Sequence, residues 1–326
     1  MKMVIVGAGA IGGLIGARLA ALGTHDVSAL ARGATLSALL HEGWRLTSPD
    51  GNVHVPAHAS DDPVELGAQD VVVVAVKGPA LQALAPKLGP LLAPHTLIVP
   101  AMNGVPWWFC DRISGFENQG LSSVDPQGLI ARHLPLAQVI GCVVHGSASA
   151  PQPGMVLHRM GRGLILGEPW VGRSPRVQAL CDVLAAAGFD VTHSEHIRRD
   201  IWYKLWGNLT MNPVSALTGS TMDRVLSDPL LREFCSQAML EASRIGSRIG
   251  CPITQSPQER HAITSRLGAV KTSMLQDVEA GRPIELDAIV TAVHEIGTRL
   301  GEPMPAIGAL LGLTRAMARQ RGLYAG

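Results

Sequence analysis

The feature that most constrains the fold is a glycine-rich segment, Gly-Ala-Gly-Ala-Ile-Gly, at residues 7–12. An apolar run at residues 3–6 precedes it directly, and a helical pattern continues from it to residue 22. In that setting the first glycine allows a tight turn, the second lets a pyrophosphate approach the backbone, and the third lets the helix pack on the strand. The helix N-terminus adds free N–H groups and a partial positive charge. A glycine-rich turn without a ligand is the alternative. The residues that we predict to bind a dinucleotide are Gly7, Ala8, Gly9, Ala10, Ile11 and Gly12.

Strand and helix patterns alternate through the first half of the chain. Apolar runs at residues 26–30, 71–76 and 96–99 predict strands, and the periodicity over 35–41 and 80–92 predicts helices. Because strands that alternate with helices form right-handed βαβ units, we expect a parallel sheet. The β-branched run at 71–76 is typical of a central strand that is covered on both faces. The sequence therefore predicts an α/β domain with a Rossmann-type fold.

Further elements are predicted outside this alternation. They are a hairpin over 44–57, strands at 139–145, 155–157, 164–167 and 189–192, a turn at 151–154, and a helix over 175–187 that is capped by Ser174. From residue 195 onward the patterns are almost all helical. The predicted helices run from a cap at Asp228 to Ile249 and over 257–280, 283–300 and 305–320. We therefore predict a Rossmann domain over residues 1–194 and an all-α domain over residues 195–326.

The end of the second strand indicates which dinucleotide binds. Sites specific for NAD usually carry an acidic residue there, which bonds the ribose 2′-hydroxyl. Residues 29–33 read Ala-Leu-Ala-Arg-Gly and hold no carboxylate. Arg32 can bind a 2′-phosphate bidentately, so we predict NADP(H), with an exposed surface arginine as the alternative. Lys77 and Asn103-Gly104 follow two further strands at the edge where ligands bind, although a solvated lysine and a plain turn are the simpler interpretations.

A second segment, residues 202–213, combines polar and apolar residues in a helical spacing. Lys204, Asn208 and Asn212 lie at i, i+4 and i+8, so on a helix they share one face among tryptophans and leucines. Pro213 should kink or end the helix there. A solvated helix face is the alternative. A lysine ammonium can protonate the alkoxide that forms when hydride reaches a ketone, and asparagine amides can hold the substrate in place.

Composition bears on partners and compartment. The formal net charge of +1 gives no electrostatic reason to expect nucleic acid or an anionic membrane as a partner. No segment reaches the roughly 18 apolar residues of a membrane span. The five cysteines are scattered and never form a Cys-x-x-Cys pair, which disfavours a metal site or a disulfide framework. We expect a cytoplasmic protein without metal.

The motifs together resemble those of the ketopantoate reductases (2-dehydropantoate 2-reductases), over essentially the whole chain. The matching pieces are residues 7–12, Val74-Ala75-Val76-Lys77, Asn103-Gly104, Lys204 with Asn208 and Asn212-Pro213, and Ser273-Met274-Leu275-Gln276-Asp277 followed by Glu285-Leu286-Asp287. The resemblance implies a Rossmann domain, then an α-helical domain, with the active site in the cleft between them. It also implies reduction of a 2-oxo acid by NADPH. A homodimer is the working hypothesis.

The resemblance also implies roles for single residues. Lys204 corresponds to the family's proton donor, and Asn208, Asn212 and Ser273 to its substrate-binding side chains. Asn103 corresponds to an asparagine that touches both cofactor and substrate. The cofactor-side residues that the resemblance adds are Arg32, Lys77, Gly146 and Glu285. For Ser273 an ordinary helix serine is the simpler interpretation, and for Glu285 a favourable place near a helix N-terminus.

One departure from the family pattern bears on the substrate. The best-known members carry a further substrate-binding asparagine where this chain, counted without gaps, has Met222. Trp107 and Trp108 also bring two bulky aromatic side chains close to Asn103 in sequence. Three alternatives therefore stay open: a related reductase for a larger or aryl 2-oxo acid, a β-hydroxyacid dehydrogenase, and a protein that binds NADP(H) as a sensor without chemistry. The Ser273-to-Glu285 block argues against the second, and an intact Lys204 argues against the third.

Overall fold

A computed structural model describes residues 1–117 and 120–324 of the chain. The chain divides into two compact units, Met1–Met102 with Gln127–Asp200, and Asn103–Pro126 with Ile201–Gly326. The domain boundary between residues 194 and 195 stays a prediction. Within the described residues, no helix is long and apolar enough to span a membrane.

The first unit contains two sheets and the helices that cover them. In the described residues its strands are β1 (Lys2–Val6), β2 (Asp26–Leu30), β3 (Trp44–Ser48), β4 (Gly51–Val55), β5 (His58–Ser60), β6 (Gln69–Val74), β7 (Leu92–Pro100), β8 (Gly141–Gln152), β9 (Met155–Gly167) and β10 (Asp190–Ser194). Its helices are α1 (Ala10–Ala21), α2 (Gly33–Glu42), α3 (Pro63–Leu66), α4 (Gly78–Leu84), α5 (Leu129–His133) and α6 (Pro175–Ala186).

The first sheet is parallel throughout, in the order β5-β2-β1-β6-β7. This is the order expected of a Rossmann-type half sheet, and it confirms the predicted fold class. Val6, the last residue of β1, pairs with Leu30 on one side and with Val74 on the other. The carboxyl ends of β1, β2 and β6 therefore meet at one edge, on either side of the point where strand order reverses.

The second sheet runs β10-β9-β3-β4, with β8 paired to β9. Helix α1 packs against strands of both sheets. That position explains why α1 is rich in glycine: a Cβ on Gly13 would lie 2.5 Å from Val156 Cγ2, and one on Gly16 would lie 2.6 Å from Trp44 Cζ3. A helix buried on two sides cannot show the one-sided apolar stripe of a surface helix.

The second unit is built from helices. Those described are α7 (Ile197–Thr218), α8 (Met222–Ser227), α9 (Pro229–Arg248), α10 (Pro257–Ser265), α11 (Ser273–Glu279), α12 (Ala292–Arg299) and α13 (Pro305–Gln320), with a π-helical turn at Asp287–Thr291 before α12. Asp228 caps α9 by accepting hydrogen bonds from the N–H groups of Leu230 and Leu231, as predicted. This all-helical architecture confirms the expected class of the C-terminal part.

Several predicted boundaries in the first unit were wrong. The helix predicted over 80–92 is α4, which ends at Leu84, followed by two 3₁₀ turns, because prolines at 86 and 90 remove donors. The strand predicted to reach residue 76 ends at Val74. The strands predicted at 155–157 and 164–167 are one strand, β9, whose exposed central residues hid its continuity.

The second unit corrects three further predictions. The helix predicted over 257–280 is two helices, α10 and α11, since the chain turns at Gly268 with φ of 71°. The helix predicted from 283 begins only with the π-helical turn at residue 287. Pro213 does not end α7, which continues to Thr218. Proline removes a single donor, and the buried side chains of Met211 and Val214 keep the helix packed on both sides of it.

Candidate functional site

The glycine-rich turn leaves β1 and enters α1 as the sequence predicts. Gly7 has φ of 93°, and a Cβ there would lie 2.5 Å from Val76 Cγ1. A Cβ on Gly12 would collide with the carbonyl oxygen of Gly7. Gly9 differs, because a Cβ there would meet no atom within 4 Å. Packing therefore explains the glycines at 7 and 12, whereas the space beside Gly9 is open, as a pyrophosphate close to the backbone requires.

Gly9 also caps α1, so the N–H groups of the first helical turn have no partner within the helix. Ala8 is buried, and Ala10 and Ile11 are half-buried. A helix N-terminus that opens on an unobstructed glycine is a fitting place for a dinucleotide phosphate. The described residues contain no group of His, Cys, Asp or Glu side chains that could hold a metal ion.

The two predicted cations of the first unit follow the two strands that flank β1. Arg32 is exposed and caps α2 immediately after β2, while Lys77 is half-buried and caps α4 after β6. Because β1 lies between β2 and β6, both residues follow the same sheet edge as the glycine turn. Gly146 lies in β8, where a Cβ would be 2.9 Å from the carbonyl oxygen of Gly161. Strand packing alone thus accounts for a glycine at 146.

In the second unit, helix α7 carries the predicted polar stripe. Lys204 and Asn208 are half-buried, and Asn212 is only 5% exposed. The Lys204 Nζ donates a hydrogen bond of 2.8 Å to Oδ1 of Asn103. The structure therefore brings together two residues that are 101 positions apart in the chain. A lysine held by an amide oxygen presents its remaining N–H donors in a defined direction, as a proton donor must.

The turn that carries Asn103 is itself anchored. Gly104 has φ of 84°, and a Cβ there would lie 2.6 Å from the carbonyl carbon of Ala288. The Val105 N–H donates to the Ala288 oxygen at 2.8 Å. Ala288 belongs to the π-helical turn that follows Glu285, and π-helical turns occur frequently at functional sites. The described contacts thus join Lys204, Asn103 and this turn.

Ser273 and Glu285 are placed by their own segments. Ser273 is the exposed first residue of α11, whose cap is the Thr272 side chain. Glu285 is half-buried, two residues before the π-helical turn.

Met222 starts α8. Its N–H donates to the Val270 oxygen at 3.0 Å, and its side chain packs against an apolar cluster of the helices. At 3% to 6% exposed, Trp107 and Trp108 are buried side chains of the second unit.

Sequence reasoning missed the residue that anchors the rest of the segment after Asn103. The Glu295 carboxylate accepts the N–H groups of Ser122 and Ser123 at 2.9 Å each and the Ser122 hydroxyl at 3.0 Å. Burial would raise the pKa of Glu295, but these hydrogen bonds outweigh it and the pKa is lowered. The pair of Glu295 with Arg299 at i+4 is visible in the sequence, whereas its bonds to Ser122 and Ser123, 173 and 172 residues away, are not.

These two sites define a class of protein: an oxidoreductase whose first unit binds a nicotinamide dinucleotide and whose second unit carries a lysine that can donate a proton. Family-level sequence models described as ketopantoate reductase PanE/ApbA and its C-terminal part match residues 3–170 and 196–318. The chain belongs to the ketopantoate reductase family.

Individual relatives cover the full length of the chain. A 2-dehydropantoate 2-reductase of Mesorhizobium japonicum is 42% identical over 99% of this chain and 100% of its own. A crystal structure of a candidate ketopantoate reductase from Ralstonia solanacearum MolK2 has a TM-score of 0.95 and 52% identity, with 99% of each chain covered. A 2-dehydropantoate 2-reductase from Geobacter metallireducens has a TM-score of 0.85 and 26% identity, covering 97% of this chain and 100% of its own.

Proposed function

We propose that the protein reduces 2-dehydropantoate (ketopantoate) to pantoate with NADPH, a step of pantothenate biosynthesis. The observation that carries the proposal is the hydrogen bond between Lys204 and Asn103, formed on the helix that also presents Asn208 and Asn212. Hydride transfer to a ketone needs one proton donor and fixed polar groups around the carbonyl, and this set provides both.

When bound, the reduced cofactor supplies a hydride to the carbonyl carbon of the substrate. The Lys204 ammonium donates a proton to the carbonyl oxygen, and its positive charge stabilises the oxygen as negative charge develops. Asn103 holds the Nζ atom by accepting a hydrogen bond from it. Asn208 and Asn212 bind the polar groups of the substrate, and Ser273 binds the carboxylate. We assign Glu285 to the nicotinamide and substrate side and Gly146 to the cofactor side.

The cofactor binds at the turn over residues 7–12, with the pyrophosphate beside Gly9. We propose NADP(H) rather than NAD(H), because Arg32 follows the end of β2 and residues 29–33 carry no carboxylate. Lys77 adds a second positive charge after β6, on the other side of β1. The test is the ratio of kcat/KM for NADPH to that for NADH. Arg32→Ser should reduce this ratio by more than tenfold, since a bidentate charged contact contributes about 1.5–3 kcal/mol.

The catalytic role is tested by Lys204→Ala, with turnover followed through NADPH absorbance and cofactor binding through nicotinamide fluorescence. We expect turnover to fall by roughly 100-fold or more, as for the loss of a general acid, while the cofactor Kd changes little. Lys87→Ala, which removes an exposed lysine of the first unit, is the matched control. Unchanged turnover in Lys204→Ala would refute the role of Lys204. Cofactor binding by a wild-type protein that turns over no 2-oxo acid would favour a sensor.

A second candidate is the reduction of a different, larger or aryl 2-oxo acid. It is favoured by Met222, whose side chain packs into an apolar cluster where the family pattern has an asparagine. A panel of 2-oxo acids assayed with NADPH decides between the two. A kcat/KM for ketopantoate well below that for an aryl 2-oxo acid would replace the first candidate with the second. Location in the cytoplasm, a homodimeric state and the lack of a nucleic-acid partner stay predictions.

A further inference from the structure

The contact between the Asn103 turn and the π-helical turn suggests a role for residues outside the catalytic set. Only a glycine fits at 104, and the one backbone hydrogen bond described between the two segments joins the Val105 N–H to the Ala288 oxygen. The direction in which Asn103 presents Oδ1 to Lys204 therefore depends on where Ala288 lies. Whatever fixes the π-helical turn also fixes the Lys204–Asn103 pair.

Two hydroxyl groups hold the π-helical turn through one carboxylate oxygen. Asp287 Oδ1 accepts a hydrogen bond of 2.6 Å from the Tyr324 hydroxyl and one of 3.0 Å from Thr291 Oγ1. Burial, together with the nearby Asp287 carboxylate, raises the pKa of Tyr324 to about 12, so its hydroxyl remains a donor at neutral pH. Thr291 bridges the turn from its last residue to its first.

The backbone supports the same arrangement. The Ile284 N–H donates to the Leu323 oxygen at 3.1 Å, so the segment that carries Glu285 is tied to the residue preceding Tyr324. A π-helical turn contains one residue more than an α-helical turn and is uncommon without support from its surroundings. Here the support comes from the segment after α13.

We propose that Asp287 and Tyr324 are positioning residues for the Lys204–Asn103 pair. The Tyr324 hydroxyl fixes Asp287, Asp287 fixes the π-helical turn, and the Ala288 oxygen fixes the Asn103 turn through the Val105 N–H. Neither side chain needs to touch substrate. The proposal rests on the function assigned above to Lys204 and Asn103.

The first test is amide hydrogen exchange at Val105, which requires no turnover. Tyr324→Phe removes only the hydroxyl, and Asp287→Leu removes the acceptor, whereas Asp287→Asn keeps an oxygen that both hydroxyls can reach. We expect the exchange of Val105 to accelerate about tenfold or more in the first two variants and to stay near the wild-type rate in Asp287→Asn. Thr298→Val, which removes a hydroxyl bonded within α12, should leave it unchanged.

The second test is a double-mutant cycle on kcat between Tyr324→Phe and Asn103→Ala. If Tyr324 acts through Asn103, Tyr324→Phe lowers kcat several-fold in the wild-type background and by less than twofold once Asn103 is alanine. Within each Asn103 background, Tyr324→Phe should leave the cofactor Kd unchanged. A merely structural role would give equal fold-changes in both backgrounds.

Unchanged exchange at Val105 in Tyr324→Phe, or additive effects in the cycle, would overturn the proposal. A near-wild-type exchange rate at Val105 in Asp287→Asn, together with a faster rate in Asp287→Leu, supports the proposal. Both variants lose the negative charge, but only Asp287→Leu also loses the hydrogen-bond acceptor. A wild-type protein that reduces another 2-oxo acid but not ketopantoate would contradict the proposed substrate alone. The cycle can then be measured with the accepted acid.

Discussion

Replacing Gly104 by alanine should disable catalysis and destabilise the second unit. The new methyl group would lie 2.6 Å from the Ala288 carbonyl carbon and 2.7 Å from its Cβ, at a residue with φ of 84°. The Ala288 atoms that the methyl group meets are backbone atoms and a Cβ, so none of them lies at the end of a flexible side chain that could move aside. The Asn103 turn must shift away from the π-helical turn, and Asn103 then loses its alignment with Lys204.

The structure allows a rough magnitude for stability. An L-residue in the left-handed region costs about 1–2 kcal/mol. Overpacking adds about 1–3 kcal/mol, and loss of the Val105 hydrogen bond about 0.5–1.5 kcal/mol. The free energy of unfolding of the second unit should therefore fall by about 2.5–6.5 kcal/mol. Turnover should fall roughly 100-fold, as for a displacement of about 1 Å in an active site.

Gly301→Ala provides the matched control. Gly301 also has positive φ, at 69°, but a Cβ there meets no atom within 4 Å, so this variant measures the backbone penalty alone. Urea unfolding followed by tryptophan fluorescence reports mainly on the second unit, which contains Trp107, Trp108, Trp202 and Trp206. If Gly104→Ala matches Gly301→Ala in both unfolding free energy and kcat, the contact with Ala288 does not hold the Asn103 turn.

Three further predictions concern single residues. Gly9→Ala should weaken cofactor binding by more than tenfold, because the new methyl group occupies the space of the pyrophosphate. The thermal midpoint of unfolding should stay within about 2 °C of wild type, because the Cβ meets no protein atom within 4 Å. Equal cofactor affinity of variant and wild type in titrations would contradict the pyrophosphate site. Glu241, only 5% exposed, accepts hydrogen bonds from the N–H groups of Ala306 and Ile307 at the start of α13. Glu241→Ala should therefore lower the free energy of unfolding in urea by about 2–4 kcal/mol. A loss below about 1 kcal/mol would show that water replaces the carboxylate. Burial, with the Arg232 charge, lowers the pKa of His261, which bonds Ser236. The contribution of the neutral imidazole to the free energy of unfolding is therefore complete above the unfolded-state pKa of about 6.5, and it declines as the pH falls below that value. In His261→Asn the free energy of unfolding should depend less on pH over this range. If it falls as steeply as in wild type, other groups cause the pH dependence.

The sequence predicted the parts of the fold that depend on local pattern. Strand β2 and helix α13 were predicted with their observed bounds, and the caps at Ser174 and Asp228 form as expected. Each of these depends on residues within a few positions of one another, so a helical or strand period reveals them. Helix α7 was also predicted with its polar stripe, and it continues past Pro213 to Thr218.

The parts that could not be predicted depend on distant partners. The spacing of Lys204, Asn208 and Asn212 identifies a helix face, but nothing in it indicates that Asn103 bonds Lys204. The π-helical turn at residues 287–291 has the same apolar period as an ordinary helix over so few residues. Its stabilisation by Tyr324 becomes visible only when the tertiary contacts are known.

The membership of residues 103–126 in the second unit has a consequence for biosynthesis. The N–H groups of Ser122 and Ser123 cannot form their hydrogen bonds until Glu295 is present, and Glu295 is synthesised 173 residues after Ser122. At about 5–20 residues per second, that interval is on the order of ten seconds or more. Trp107 and Trp108, which are buried in the finished unit, likewise precede its helices, and α7 begins 90 residues after Trp107. The nascent chain therefore carries an exposed aromatic segment until α7 is synthesised, and chaperone binding is best sought there.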